Sequence, residues 1–175
     1  MDRTVLASQN VSRMCLVCGA ANPVSLKAQF LELEGGDLLG VFRPLEVHQS
    51  YPGRLHGGIS SAILDETIGR AIIVANPGIW GVTVEFNVRY RQPVPLDGEI
   101  RAVGRITRDT TRLFEGTGEI LLADGSVAVE GRGKYVKLGI EDIAEARMDE
   151  REWFADRREA PASVELSAPA PGSAQ

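Results

Sequence analysis

From Gly57 to about Ala75 the chain runs without a proline through GGISSAILDETIGRAIIVA, until Asn76-Pro77-Gly78 stops it. Between Ile59 and Ala75 the polar residues are Ser60, Ser61, Asp65, Glu66, Thr67 and Arg70, and the rest are apolar or glycine. A helix of that composition has too little polar surface to lie in water, so the rest of the chain must surround it. The flanking sequence supplies strands for the purpose. Ser25–Glu34 alternates and ends at Gly35-Gly36, and Leu38–Arg43 follows, closed by Pro44. After the helix come four more. In the first, Val82, Val84, Phe86, Val88 and Tyr90 are expected on one face, with Thr83, Glu85, Asn87, Arg89 and Arg91 on the other. Glu99–Thr107, Phe114–Leu122 and Val127–Lys137 complete the set, the last two joined by a turn at Ala123-Asp124-Gly125-Ser126. One buried helix followed by a run of strands predicts an α+β fold, an antiparallel sheet wrapped around one long central helix.

The 175 residues suit one domain, and a hydrophobic content of 43% can fill its core. Residues 1–14 read as a flexible arm, 15–139 as the folded domain, 140–158 as a charged helix carrying Trp153-Phe154, and 159–175 as a disordered tail rich in Ala, Pro and Ser. A net charge of -5, from 19 basic and 24 acidic residues, disfavours a nucleic-acid partner. No apolar run reaches the roughly 18 to 20 residues that span a bilayer, and the first residues lack a continuous signal-peptide core. The expectation is a soluble cytoplasmic protein.

Chemistry concentrates in His48-Gln49-Ser50-Tyr51-Pro52-Gly53-Arg54-Leu55-His56-Gly57-Gly58 and the Leu64-Asp65-Glu66 that follows, a stretch holding both histidines of the protein. Gly57-Gly58 opens the helix, where N–H groups have no intrahelical partner and glycine permits close approach of a ligand. Such a place suits an anion, or a carbonyl oxygen becoming one. Asp65 shares a helix face with Gly58, Ser61, Gly69 and Ile72, and a carboxylate among small residues can serve as base or nucleophile. Glu66 lies about 100° around the helix, so the two carboxylates cannot enter one pocket. Cys15 and Cys18 form a single CxxC. Together with His48 and His56 they offer two Cys and two His, but not at zinc-finger spacing, and His56 as a ligand would leave the turn. A thioredoxin-like βαβ setting is also missing. Two reduced, packing cysteines and no metal are expected.

HGG with Asp65 nine residues after the His, preceded by HQSYPG and followed by VTVEFNVRYRQPVP, resembles the PaaI-like acyl-CoA thioesterases of the hotdog fold. The N-terminal CLVCGAANPVSLKAQF resembles the same family. The resemblance covers residues 15–138. It implies a hotdog sheet around the helix, hydrolysis of an acyl-CoA, no cofactor beyond the coenzyme A of the substrate, and a homodimer or dimer of dimers. By the same resemblance Asp65 is the catalytic carboxylate, the Gly57 N–H polarises the thioester carbonyl, His56 orients the turn, and Thr83 helps hold the water. Ser50 stands where relatives carry Asn or Gln, with Gln49 adjacent. Gly58, Gln49, Arg89 and Arg91 are candidate substrate contacts, the arginines for coenzyme A phosphates along with Arg132 and Lys134.

Two other readings stand beside this one. A hotdog enoyl-thioester hydratase needs an Asp–His pair upstream of the helix, where this chain has Arg43-Pro44-Leu45-Glu46-Val47-His48. A non-catalytic acyl-CoA-binding module would keep the fold without turnover, and the Ser50 departure keeps that alternative open.

Overall fold

The computed structural model describes residues 2–145 and 148–166. Along the chain lie β1 (Asp2–Ser8), β2 (Val11–Ser12), β3 (Gln29–Leu33), β4 (Leu38–Phe42), α1 (Gly57–Ala75), β5 (Trp80–Tyr90), β6 (Ile100–Asp109), β7 (Leu113–Leu121), β8 (Val127–Leu138), β9 (Trp153–Phe154) and β10 (Ser163–Glu165). Eight strands form one sheet in the order β10-β1-β3-β4-β6-β7-β8-β5, every pair antiparallel, and β2 pairs with β9. The sheet wraps α1, which packs on β4, β5, β6, β7 and β8. This is the hotdog arrangement.

Local signals set the helix ends. His56 caps the first turn, its Nδ1 accepting from the Gly58 N–H at 2.9 Å, and Asn76 closes the last turn on the Ile72 carbonyl. Packing then holds the helix in place. Ile63, Leu64, Ile68, Ala71 and Ile72 are fully buried, and each large aliphatic among them contributes roughly 1.5–3 kcal/mol by leaving water. The sheet meets this face along a row in register across five strands: Leu38, Gly104, Gly118, Gly131 and Val88. A Cβ on Gly104 would lie 2.7 Å from the Thr67 carbonyl oxygen, and one on Gly118 would lie 2.9 Å from Ile68 Cγ1. The glycines let sheet and helix close to backbone contact.

Three expectations fail, each through tertiary contact. The residues before Cys15 are not a loose arm: β1 is an interior strand between β3 and β10, and Val11 is in the core. The described residues of 140–158 form no α-helix. Among them lie a 3-10 turn at Ile140–Asp142 and Trp153-Phe154, which pairs as β9 with β2. A helix there would carry charge at 11 of its 19 positions, and Arg147 and Arg151 would interrupt its apolar stripe of Ile140, Ile143, Ala144 and Met148. The extended form instead sets Trp153 edge to face against Trp80, centroids 4.8 Å apart, and lets Arg158 donate to the carbonyls of Lys27 and Ala28. Part of the supposed tail, Ser163–Glu165, is β10, while 167–175 lies outside the described residues.

The fourth departure bears on the site. Strict alternation along β5 is broken by a bulge at Val84, with Thr83 opposite Tyr135 and Glu85 opposite Lys134. Thr83 therefore shares the helix-facing side with Phe86, Val88 and Tyr90, while Val82 and Val84 leave it.

Candidate active site

The N-terminus of α1 is built by the segment before it. His48 is buried, its Nδ1 accepting from Leu45 N–H and its Nε2 donating to the Val24 carbonyl, both at 2.8 Å. Its carbonyl accepts from the His56 N–H, which fixes where the helix begins. Gln49 pairs with Leu55, its side-chain oxygen accepts from the Gly53 N–H at 2.8 Å, and the Ser50 N–H donates to the Arg54 carbonyl. Gly53, at φ 75°, is where the turn needs glycine. Gln49 thus spends its carbonyl on the turn. Ser50 is exposed beside it.

Of the first N–H groups of α1, that of Gly58 goes to His56 Nδ1, and those of Ile59 and Ser60 return to the His56 carbonyl. The Gly57 N–H has no hydrogen-bond partner among the described residues. It stands at the positive end of the helix. The Gly57 carbonyl is held from the other side, by Tyr90 Oη at 2.8 Å and Ser61 Oγ at 3.3 Å. Gly57, Ser60, Tyr90, Arg91 and Pro93 line a cavity of about 280 Å³ at this end.

Asp65 lies two turns further on. Its Oδ1 accepts from Thr83 Oγ1 at 2.9 Å and from Tyr135 Oη at 3.2 Å, and Oδ2 has no partner among the described residues. Burial pushes its carboxyl above the usual aspartate range; the bonds from Thr83 and Tyr135 pull it part of the way back, and the Glu66 charge adds to the rise. Burial and then the Asp65 charge push the Tyr135 phenol far up, so it remains a proton donor. Tyr135 is stacked on Phe114, centroids 4.8 Å apart, and is 1% exposed. The result is a carboxylate with one oxygen fixed and the other open.

The structure therefore brings Thr83 to Asp65 and gathers Gly57 and Arg91 at one cavity. It separates these two groups, since eight helical residues at about 1.5 Å each place Gly57 roughly 12 Å from Asp65. Arg91 is paired with Glu130 at 2.8 Å. Arg89 and Arg132 are on the sheet face turned away from the helix, in a groove of about 370 Å³. Glu66 points elsewhere and pairs with Arg70 at 2.7 Å. Neither histidine is at the cysteines. Sequence reasoning missed Tyr135 and Tyr90. The period-two run Val129, Gly131, Gly133, Tyr135 on β8 carries a signal for the first, the one aromatic on an otherwise small helix-facing row.

Residues 52–129 match the family model described as the thioesterase superfamily. Over these 78 of its 175 residues the chain is similar to the thioesterase superfamily. His56-Gly57-Gly58, Asp65 and Thr83 all fall within the match. The human protein acyl-coenzyme A thioesterase 13 is 27% identical over 88 residues, 50% of this chain and 63% of its own. The chain thus spans under two thirds of the curated relatives it matches. A crystal structure of a thioesterase superfamily protein superposes with a TM-score of 0.66 at 29% identity, covering 72% of this chain and 61% of the other. The Bacillus halodurans protein BH2602, solved with CoA, shares the fold at a TM-score of 0.52 and 24% identity, over 57% of this chain and 66% of its own.

Proposed function

We propose that the protein is an acyl-CoA thioesterase, hydrolysing the thioester to a free acid and coenzyme A. The observation that carries this is Asp65: a half-buried carboxylate on the central helix, one oxygen held by Thr83 and Tyr135 and the other open. The match to the superfamily model and the similarity to an acyl-CoA thioesterase support the same reading. In the proposed reaction Asp65 takes the proton of an attacking water, or attacks the carbonyl carbon itself to give an anhydride that a water then hydrolyses to the free acid. The thioester oxygen gathers negative charge against the Gly57 N–H, the C–S bond breaks, and the coenzyme A thiolate leaves and is protonated. A thioester is already a good acyl donor, so one carboxylate and one aimed N–H suffice for turnover. Of the four candidate phosphate contacts, Arg89, Arg91, Arg132 and Lys134, Arg91 is the one at the Gly57 cavity.

Because the two groups are roughly 12 Å apart on one helix, neither subunit alone can bring both to one carbonyl, which needs each within about 3 Å. The proposal therefore includes a twofold dimer with Gly57 of one subunit beside Asp65 of the other.

The test is thiol release from a panel of acyl-CoAs of different chain length. Asp65→Asn should abolish it while acyl-CoA affinity persists, since Asn keeps the volume and the acceptor oxygen but loses the charge. Retention of a tenth of the rate by Asp65→Asn would overturn the mechanism. Binding without turnover of any acyl-CoA would make the protein a binding module.

A further inference from the structure

Around α1 from Asp65, a second polar cluster is buried against the N-terminal segment. At its centre is Arg70, 6% exposed and sandwiched between the Phe30 ring at 4.4 Å and the Trp153 ring at 4.7 Å. Its guanidinium donates to Glu66 Oε1 at 2.7 Å, the Asn10 carbonyl at 2.9 Å and Cys18 Sγ at 3.1 Å. Cys15-Leu16-Val17-Cys18-Gly19 makes a tight turn over this cluster. The Gly19 N–H closes it on the Cys15 carbonyl at 2.9 Å, and the Val17 N–H donates to Cys15 Sγ at 3.2 Å. A Cβ on Gly19 would lie 2.3 Å from that carbonyl, so the turn requires glycine. Lys27 Nζ then ties down the carbonyls of Gly19, Ala20 and Asn22. Both cysteines are free thiols, and their sulfurs and a Glu66 oxygen all lie within 4.8 Å of one another.

We propose that Cys15, Cys18 and Glu66 form a structural site for a zinc-type divalent cation. Two sulfurs from a CxxC and one carboxylate oxygen supply three of the four donors of a tetrahedral zinc ion, and the thiolates select against magnesium and calcium. Each sulfur already has a donor aimed at it, Val17 N–H on Cys15 and Arg70 on Cys18, as metal-bound sulfurs require. Arg70 bonds both Cys18 and Glu66, orienting two ligands at once, the task of an outer-shell partner. The charges also close: two thiolates and a carboxylate balance a divalent ion plus the guanidinium, as a buried site must. Cys15 and Glu66 are partly exposed, which gives the ion a path and leaves the fourth position to water. The ion would fasten the N-terminal segment to α1 at the residue next to Asp65. It takes no part in the thioester chemistry, and neither histidine belongs to it.

The test uses the whole chain, reduced, stripped with chelator and titrated with Co²⁺. One equivalent should raise thiolate-to-cobalt charge-transfer absorption and the visible bands of a tetrahedral ion, and Zn²⁺ should bleach both. Cys18→Ser should remove about half of the charge-transfer intensity and weaken binding. Glu66→Gln, at a partly exposed helix position that should fold, should lose about tenfold or more in Co²⁺ affinity. Absence of a one-equivalent band from the folded, reduced protein would overturn the site. So would unchanged Co²⁺ affinity in Glu66→Gln, or an unaltered spectrum in Cys18→Ser. Cysteines that oxidise to a disulfide and still bind no Co²⁺ after reduction would likewise overturn it, and would mark a redox pair instead.

Discussion

Asp65 and Gly57 are legible from a single short stretch, because a helix start and a carboxylate on an apolar helix are local facts. Their partners are not. Tyr135 meets Asp65 across 70 residues of chain, and Tyr90 meets Gly57 across 33. Thr83 is a candidate in the sequence, yet plain alternation puts it on the far face; the bulge at Val84 turns it toward Asp65. A pH prediction follows from these contacts. In the proposed mechanism Asp65 acts ionised, and burial raises its pKa above the ordinary aspartate value of about 3.9. Activity should therefore be full above that raised value and fall as the pH drops through it. Thr83→Ala and Tyr135→Phe each remove a bond that favours the carboxylate, so each should move the acid limb of kcat/KM to higher pH. Tyr135→Phe keeps the ring against Phe114. Limbs unmoved in both variants would show that Asp65 is not the titrating group.

At the scale of elements, α1 is read with its observed ends because its cap and its Asn-Pro-Gly stop are written beside it. Strands β4 to β8 are read nearly as well. The failures at β1, β9 and β10 share a cause: short strands owe their form to a neighbour, and periodicity cannot name the neighbour. The glycine row is equally silent in the sequence, since only register brings Gly104, Gly118 and Gly131 into line. It makes a sharp prediction. A methyl at Gly104 meets helix backbone, which cannot rotate away as a side chain can. Gly104→Ala should cost roughly 1–3 kcal/mol, or a fall in Tm of about 2–12 °C for a chain of this size. Thermal unfolding by circular dichroism checks it, and an unchanged Tm would mean that sheet and helix stand further apart than described.

At the scale of the whole molecule, the separation of Gly57 from Asp65 becomes a statement about stoichiometry. Asp65→Asn and Gly57→Pro should each be inert alone, the second losing its N–H at a first-turn position that tolerates proline. In the proposed dimer, unfolding the two together and refolding them would leave half of the dimers mixed, and each mixed dimer would regain one of its two sites. Thiol release should return to about a quarter of wild type. No recovery, with mixed dimers demonstrated and Gly57→Pro folded, would sink the shared site.

The two ends of the sheet are unequal. One is β5, eleven residues long, whose outer edge has no partner strand among the described residues; the other is β10, with three. An open edge invites another strand, and a long one invites it far more strongly than a short one. Were the twofold formed by β5 against its own copy, both long edges would be consumed in one event. The joined sheet would then end on either side in a strand too brief to recruit a third chain. Growth into a filament, the standing hazard of open sheets, would stop at the first encounter.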